Sequence, residues 1–174
     1  MTVEKIAAIV SEALNAAGIE AVLSGGSVVS IYADNEYVSH DLDFVTAESV
    51  KEIEPIMVGL GFERTSGRHF THPKSEFYVE FPSAPLAIGN EPVKSWAKRR
   101  TKAGTIQLLT PTQCVMDRLA GYYFWRDHQN LDQAIMVAVR QQIDFKKIEA
   151  WSKREGFIEQ YELFAVALRD RKNT

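Results

Sequence analysis

The stretch from Ser24 to Phe44, SGGSVVSIYADNEYVSHDLDF, restricts this chain more than any other. It opens on Gly25-Gly26 after a short apolar run, Ala21, Val22 and Leu23, and closes on Asp41-Leu42-Asp43. Alternate residues of an extended strand point to the same side, so Asp41 and Asp43 project together while Leu42 turns inward. Two carboxylates held side by side repel each other unless a cation lies between them. A glycine turn that opens a helix presents free backbone N–H groups to an anion. A cation site and an anion site joined by one helix point to a metal–nucleotide site. Taken alone, Gly-Gly is an ordinary strand-to-helix turn and Asp-x-Asp a solvated pair; together they are far more specific. No Gly-Lys-Ser/Thr follows the glycines, so this is not a Walker loop.

The flanking sequence supplies elements on which such a site can be mounted. Val3, Ile6, Ala7, Val10, Leu14 and Ala17 recur at helical spacing, and Gly18 ends that helix. Ile19–Leu23 reads as a buried strand, Ser27–Ala33 as a second helix, and Leu42–Val45 as a second strand, parallel or mixed with the first. Ser49 is positioned to cap a third helix over 50–60. Three extended pieces follow, 62–65, 68–72 and 76–81. In the last, Phe77, Val79 and Phe81 alternate with Glu76, Tyr78 and Glu80, the pattern of a strand with one buried face. A basic run, Lys94 to Lys102, precedes a short strand over 105–109. Thr110-Pro111 is a helix start, and helical patterns then cover 111–125, 130–141, 145–154 and 157–170. The fold class expected is α+β: a small mixed β-sheet flanked by helices over 1–109, then a C-terminal helical bundle over 110–174 packed on that core.

The 174 residues, 45% of them hydrophobic, suffice for one sizeable core. A net charge of −3 gives no general attraction to nucleic acid. The single cysteine, Cys114, excludes an internal disulfide and a cysteine-based zinc cluster, and it sits in an apolar helical pattern as a small buried residue. No apolar run approaches membrane-spanning length, and the N-terminus lacks a signal-peptide pattern. The expectation is a cytoplasmic protein that does not enter a membrane.

Gly-Gly-Ser, a helix, and then Ser39-His40-Asp41-Leu42-Asp43-Phe44 resembles the signature of the nucleotidyltransferase superfamily, and within it the small prokaryotic, abortive-infection toxin-like branch. Tyr37 and Val38 stand where many relatives carry an arginine. Leu108-Leu109-Thr110-Pro111 and the helix after it also resemble that family's C-terminal bundle. Arg118 stands near a position where relatives often have a lysine, and Arg126-Asp127 with Asp132 resemble the segment that follows.

The resemblance implies a metal-dependent transfer of a nucleoside monophosphate from an NTP to a hydroxyl of RNA, tRNA, a protein or a small molecule, with release of pyrophosphate. Asp41 and Asp43 would hold magnesium, or manganese, and Glu80 would be the third carboxylate, with Glu76 on the same face as its alternative. A solvated strand glutamate is the plain reading of Glu80. Gly25, Gly26 and Ser27 would hold phosphates, with the Ser27 hydroxyl donating to a phosphate oxygen. Arg118 or Arg126 would touch phosphate, or form part of an Arg–Asp pair fastening helices. The basic run would meet triphosphate or an RNA acceptor, or face solvent. Trp96 and Trp125 could stack on a base, with packing in the core or between helices as the default. Two other classes of function stand beside the enzyme: a catalytically degenerate binding module of the same fold, and a toxin–antitoxin component whose role lies in its cognate partner.

Overall fold

Thr2 starts the first helix, α1 (Val3–Ala16), by accepting a hydrogen bond from the Lys5 amide at 3.2 Å. Gly18, at φ +73°, turns the chain out of it. Its expected apolar stripe is buried from Val3 through Ile6, Ala7 and Val10 to Leu14, while Ala17, past the helix end, is exposed. The computed structural model describes residues 1–174. After α1 come β1 (Val22–Ser24), α2 (Gly26–Tyr32), β2 (Asp41–Val45) and α3 (Val50–Gly59). The chain then forms β3 (Glu63–Ser66), β4 (His69–Thr71), β5 (Tyr78–Glu80), β6 (Ala87–Ile88), β7 (Glu91–Pro92), β8 (Ala97–Thr101) and β9 (Gly104–Leu108). Four helices finish it: α4 (Pro111–Trp125), α5 (His128–Arg140), α6 (Phe145–Glu155) and α7 (Ile158–Lys172).

The architecture is mixed α+β. One seven-stranded sheet runs in the order β3-β4-β5-β2-β1-β9-β8, and β6 and β7 form a small separate hairpin. The sheet is mixed at its centre: β2 is antiparallel to β1 and parallel to β5. Leu23, Leu42, Phe44 and Val79 turn to one face and are fully buried. The helices α1 and α2 pack on the sheet, α1 along β9 and α2 against β1 and β2. The other face carries the polar residues of the same strands.

The basic run contains a strand that the sequence pattern does not predict. Lys98, Arg99 and Arg100 lie exposed on β8, the edge of the sheet, paired to β9. An edge strand needs little apolar pattern, and its charges discourage a second chain from pairing there. Arg99 reaches Glu4 on α1 at 2.5 Å. β9 and β1 separate β8 from β2, about 14 Å at normal strand spacing, so the exposed strand of this run stands apart from the aspartates.

Thr110 and Gln113 form a reciprocal capping box at the start of α4, where Thr110-Pro111 predicts a helix start. Asp127 and Asp144 cap α5 and α6. The helical part is tied to the sheet part by polar bonds as well as packing. The Tyr32 hydroxyl donates to the Leu109 carbonyl at 2.7 Å, and Gln141 Nε2 donates to the Tyr32 carbonyl at 2.9 Å. A single buried apolar cluster runs from α1 through the sheet to Trp151 and Phe164. No helix is long and apolar enough to cross a membrane.

Candidate active site

The pairing of three strands sets the site. Ser24 pairs with Asp43 across β1 and β2, and Asp43 pairs with Glu80 across β2 and β5. Paired residues on neighbouring strands share a face, so Asp43 and Glu80 project side by side, with Asp41 two residues along on the same face. Burial follows the same alternation: Leu42 and Phe44 are buried while Asp41 is exposed and Asp43 half-buried. On β5, Val79 is buried between exposed Tyr78 and Glu80.

The glycine turn lies directly against this row. Gly25 sits at φ +74°, a region that side-chain-bearing residues rarely adopt, and a Cβ there would come within 2.8 Å of Asp43 Oδ2. Gly25 is therefore required twice, by backbone angle and by the approach of Asp43. Gly26 lies under Tyr37, whose hydroxyl would be 3.3 Å from a Cβ on Gly26. No side chain caps α2. That helix has barely two turns, so its dipole is weak; the turn contributes bare backbone and uncapped N–H groups.

Ser27 has another partner. Its side chain is fully buried, and its hydroxyl donates to the Ser24 carbonyl at 3.2 Å. In this arrangement it closes the turn from inside.

Arg118, on α4, reaches the same cleft. Its guanidinium donates to Asp117 Oδ2 at 2.8 Å, to Asn130 Oδ1 at 2.9 Å and to Gln133 Oε1 at 3.3 Å, while its Nε is buried without a partner. It ties α4 to α5, the fastening role, though its ion-pair partner is the neighbouring Asp117 and not Asp127. Burial works against its charge, and Asp117 more than offsets that, so its pKa lies above the usual arginine value. Ser24, Gly25, Asp43, Glu80, Asp117 and Arg118 line an open cleft of about 340 Å³.

Charge is concentrated on Asp43. Burial first, then Glu80 and Asp41, push its pKa up to about 6; Arg118 pulls it back and Asp117 adds to the rise. Asp117 is a site residue that the sequence pattern missed. Its only signal is its place beside Arg118, one turn above buried Cys114 on α4. His69 pairs with Glu80 across β4 and β5, extending the row Ser24–Asp43–Glu80 by one strand. Glu76 lies outside β5, in the loop before it. His40 stacks on Phe77 with ring centres 5.6 Å apart.

No three of the chain's His, Cys, Asp and Glu side chains are gathered into a cluster that would hold a metal on their own. Magnesium rarely asks for one: it is commonly held by one or two carboxylates, with substrate phosphates and water completing its octahedron. Asp41, Asp43 and Glu80 on one face fit that mode by donor type and by the repulsion on Asp43, which Arg118 relieves only in part.

No family model matches the chain, and no curated protein matches it. Among solved structures it is similar to ANT(2")-Ia in complex with adenylyl-2"-tobramycin, with a TM-score of 0.48, 12% sequence identity and 94% of each chain covered. At that level of likeness, residue roles rest on this chain's own geometry.

Proposed function

We propose that the chain is a metal-dependent nucleotidyltransferase, moving a nucleoside monophosphate from an NTP to a hydroxyl acceptor with release of pyrophosphate. The observation that carries this reading is the register of Asp43 with Glu80, beside the bare Gly25 turn and a half-buried arginine. Carboxylates, a glycine turn and a guanidinium around one cleft suit a bound cation and a polyphosphate.

Asp41 and Asp43 would hold the magnesium or manganese ion, with Glu80 as a further ligand. A bound divalent ion supplies neutralisation of phosphate charge and acidification of the acceptor hydroxyl. The residues of this chain position the reactants. Gly25 and Gly26 let the phosphate chain approach the backbone closely, and Arg118 offsets its charge at a fixed distance. The acceptor oxygen forms a bond to the α-phosphorus as the bond to the bridging oxygen of pyrophosphate breaks. The hydroxyl proton passes to water in the open cleft. Almost all of the rate enhancement then comes from orientation and charge, which a site of this composition can provide.

Asp43→Asn and Glu80→Gln should each reduce pyrophosphate release from NTP and magnesium by 100-fold or more, on the order expected for lost electrostatic stabilisation, with circular dichroism unchanged. Full turnover in both variants overturns the assignment. A degenerate binding module would show NTP binding by calorimetry and no pyrophosphate release from the native chain with any acceptor pool. That no three such side chains gather to hold a metal on their own is the observation that keeps this second reading in the test.

A further inference from the structure

Trp125 is 83% exposed, more than any other large apolar side chain of the protein. The default expectation, packing between helices, does not hold for it. An indole left in water forgoes a large burial gain unless something covers it in use. Its presentation is also fixed. Trp125 is the last residue of α4, and Arg126 follows at φ +53°, a strained setting for a side-chain-bearing residue, because α5 begins at once from Asp127.

Beside Trp125 lies a pocket of about 690 Å³ lined by Asn90, Asp117, Arg118, Phe124, Trp125 and Asn130. It shares Asp117 and Arg118 with the carboxylate cleft, so the two adjoin at these side chains. Its walls are braced. Phe124 packs edge-on against Phe157 at 4.9 Å, and the Gly89 backbone lies against the same ring. Asn90 is held to Glu155 through its amide N–H and its Nδ2, both at 2.7 Å. These bonds leave the Asn90 amide oxygen and the Asn130 amide nitrogen without protein partners. One acceptor and one donor beside an exposed indole match the edge and the face of a heterocyclic base.

Spacing selects the occupant. Arg118 and Trp125 are seven residues apart, so they share one face of α4 about 10 Å apart along its axis. A nucleotide whose phosphates meet Arg118 carries its base a comparable distance away. We propose that this pocket takes the nucleobase of the bound nucleotide, stacked on Trp125. The proposal rests on reading the cleft as a nucleotide site.

The test is a calorimetric titration of the native chain and of Trp125→Leu and Trp125→Phe with each NTP and with inorganic tripolyphosphate, all with magnesium. Base–aromatic stacking predicts an NTP affinity about tenfold weaker in Trp125→Leu, largely restored in Trp125→Phe. Tripolyphosphate affinity should be equal in all three. Equal NTP affinity in native and Trp125→Leu overturns the base pocket and leaves the nucleotide site standing. A native chain that binds neither NTP nor tripolyphosphate overturns both. Parallel loss of NTP and tripolyphosphate in Trp125→Leu means a general change of shape and overturns the stacking role. So does unchanged NTP affinity with lost self-association in sedimentation, or a variant that changes only the KM of the acceptor.

Discussion

Asp43 carries the strongest electrostatic conflict in the molecule, and the conflict has a sign. Its folded-state pKa is raised from 3.8 to about 6, so the folded state holds this proton more tightly than the unfolded state does. The groups facing it are Glu80 on β5, Asp41 on β2, and Asp117 with Arg118 on α4. Below about pH 4 both states are protonated and no penalty exists. As pH rises from 4 through 6 the unfolded chain ionises first, and metal-free protein loses stability across that window. The full shift corresponds to about 3 kcal/mol, and partial exposure reduces it to about 1–2 kcal/mol. Asp43→Asn in chelator should therefore melt higher than native at pH 7.5, with the gap closing toward pH 4. Magnesium should stabilise native and not the variant. A native metal-free protein at least as stable as Asp43→Asn at pH 7.5 would refute the assignment of repulsion at this residue.

At the scale of elements, the α4–α5 seam positions the cleft's only nearby guanidinium. Gly121 lies where Asn130 crosses α4, and a Cβ there would come within 2.3 Å of Asn130 Nδ2 and 2.8 Å of its Cγ. Asn130 also accepts from Arg118. Gly121→Ala gains about 1 kcal/mol of helix propensity. It also forces Asn130 to rotate and release a charged hydrogen bond worth about 1.5–3 kcal/mol. The second effect is larger, so the variant should be less stable by about 1 kcal/mol, read by urea unfolding. Because Arg118 is loosened, NTP affinity should fall as well. Greater stability with undiminished affinity would mean that Asn130 has somewhere else to go.

Across the whole molecule, the sheet and the helical part share one buried cluster and exchange two hydrogen bonds at Tyr32. Burial pushes the Tyr32 hydroxyl well above the ordinary tyrosine range, the mark of a phenol kept as a neutral donor. Tyr32→Phe removes the bond to Leu109 while keeping the ring, and leaves that carbonyl unpaired in the core. The expected loss is about 1–2 kcal/mol, a drop in Tm of a few degrees for a chain of this size. The transition should remain a single one by both calorimetry and circular dichroism. Two separate transitions in the native chain would show that the two parts fold independently.

Much of this was legible in the sequence because it depends on local period and local chemistry. Alternation placed Asp41 and Asp43 together and turned Leu42 inward; the same alternation exposed Glu80 between buried Val79 and Phe81. The helix start at Thr110-Pro111 and the stop at Gly18 were equally local. What the sequence could not contain is register. That Glu80 stands beside Asp43, and not beside Asp41 or a strand away, is set by β5 pairing parallel to β2, a contact between residues 37 positions apart. The same holds for Asp117, His69 and Trp125, whose relevance arises from where α4 and β4 come to rest, and for Ser27, whose hydroxyl has a nearer partner in Ser24. The basic run gave no periodic sign of β8, because an edge strand answers to the neighbour it pairs with. Chain-local forces determined the turn and the paired aspartates of Ser24 to Phe44. Long-range pairing of strands and docking of helices decided which other charges face them.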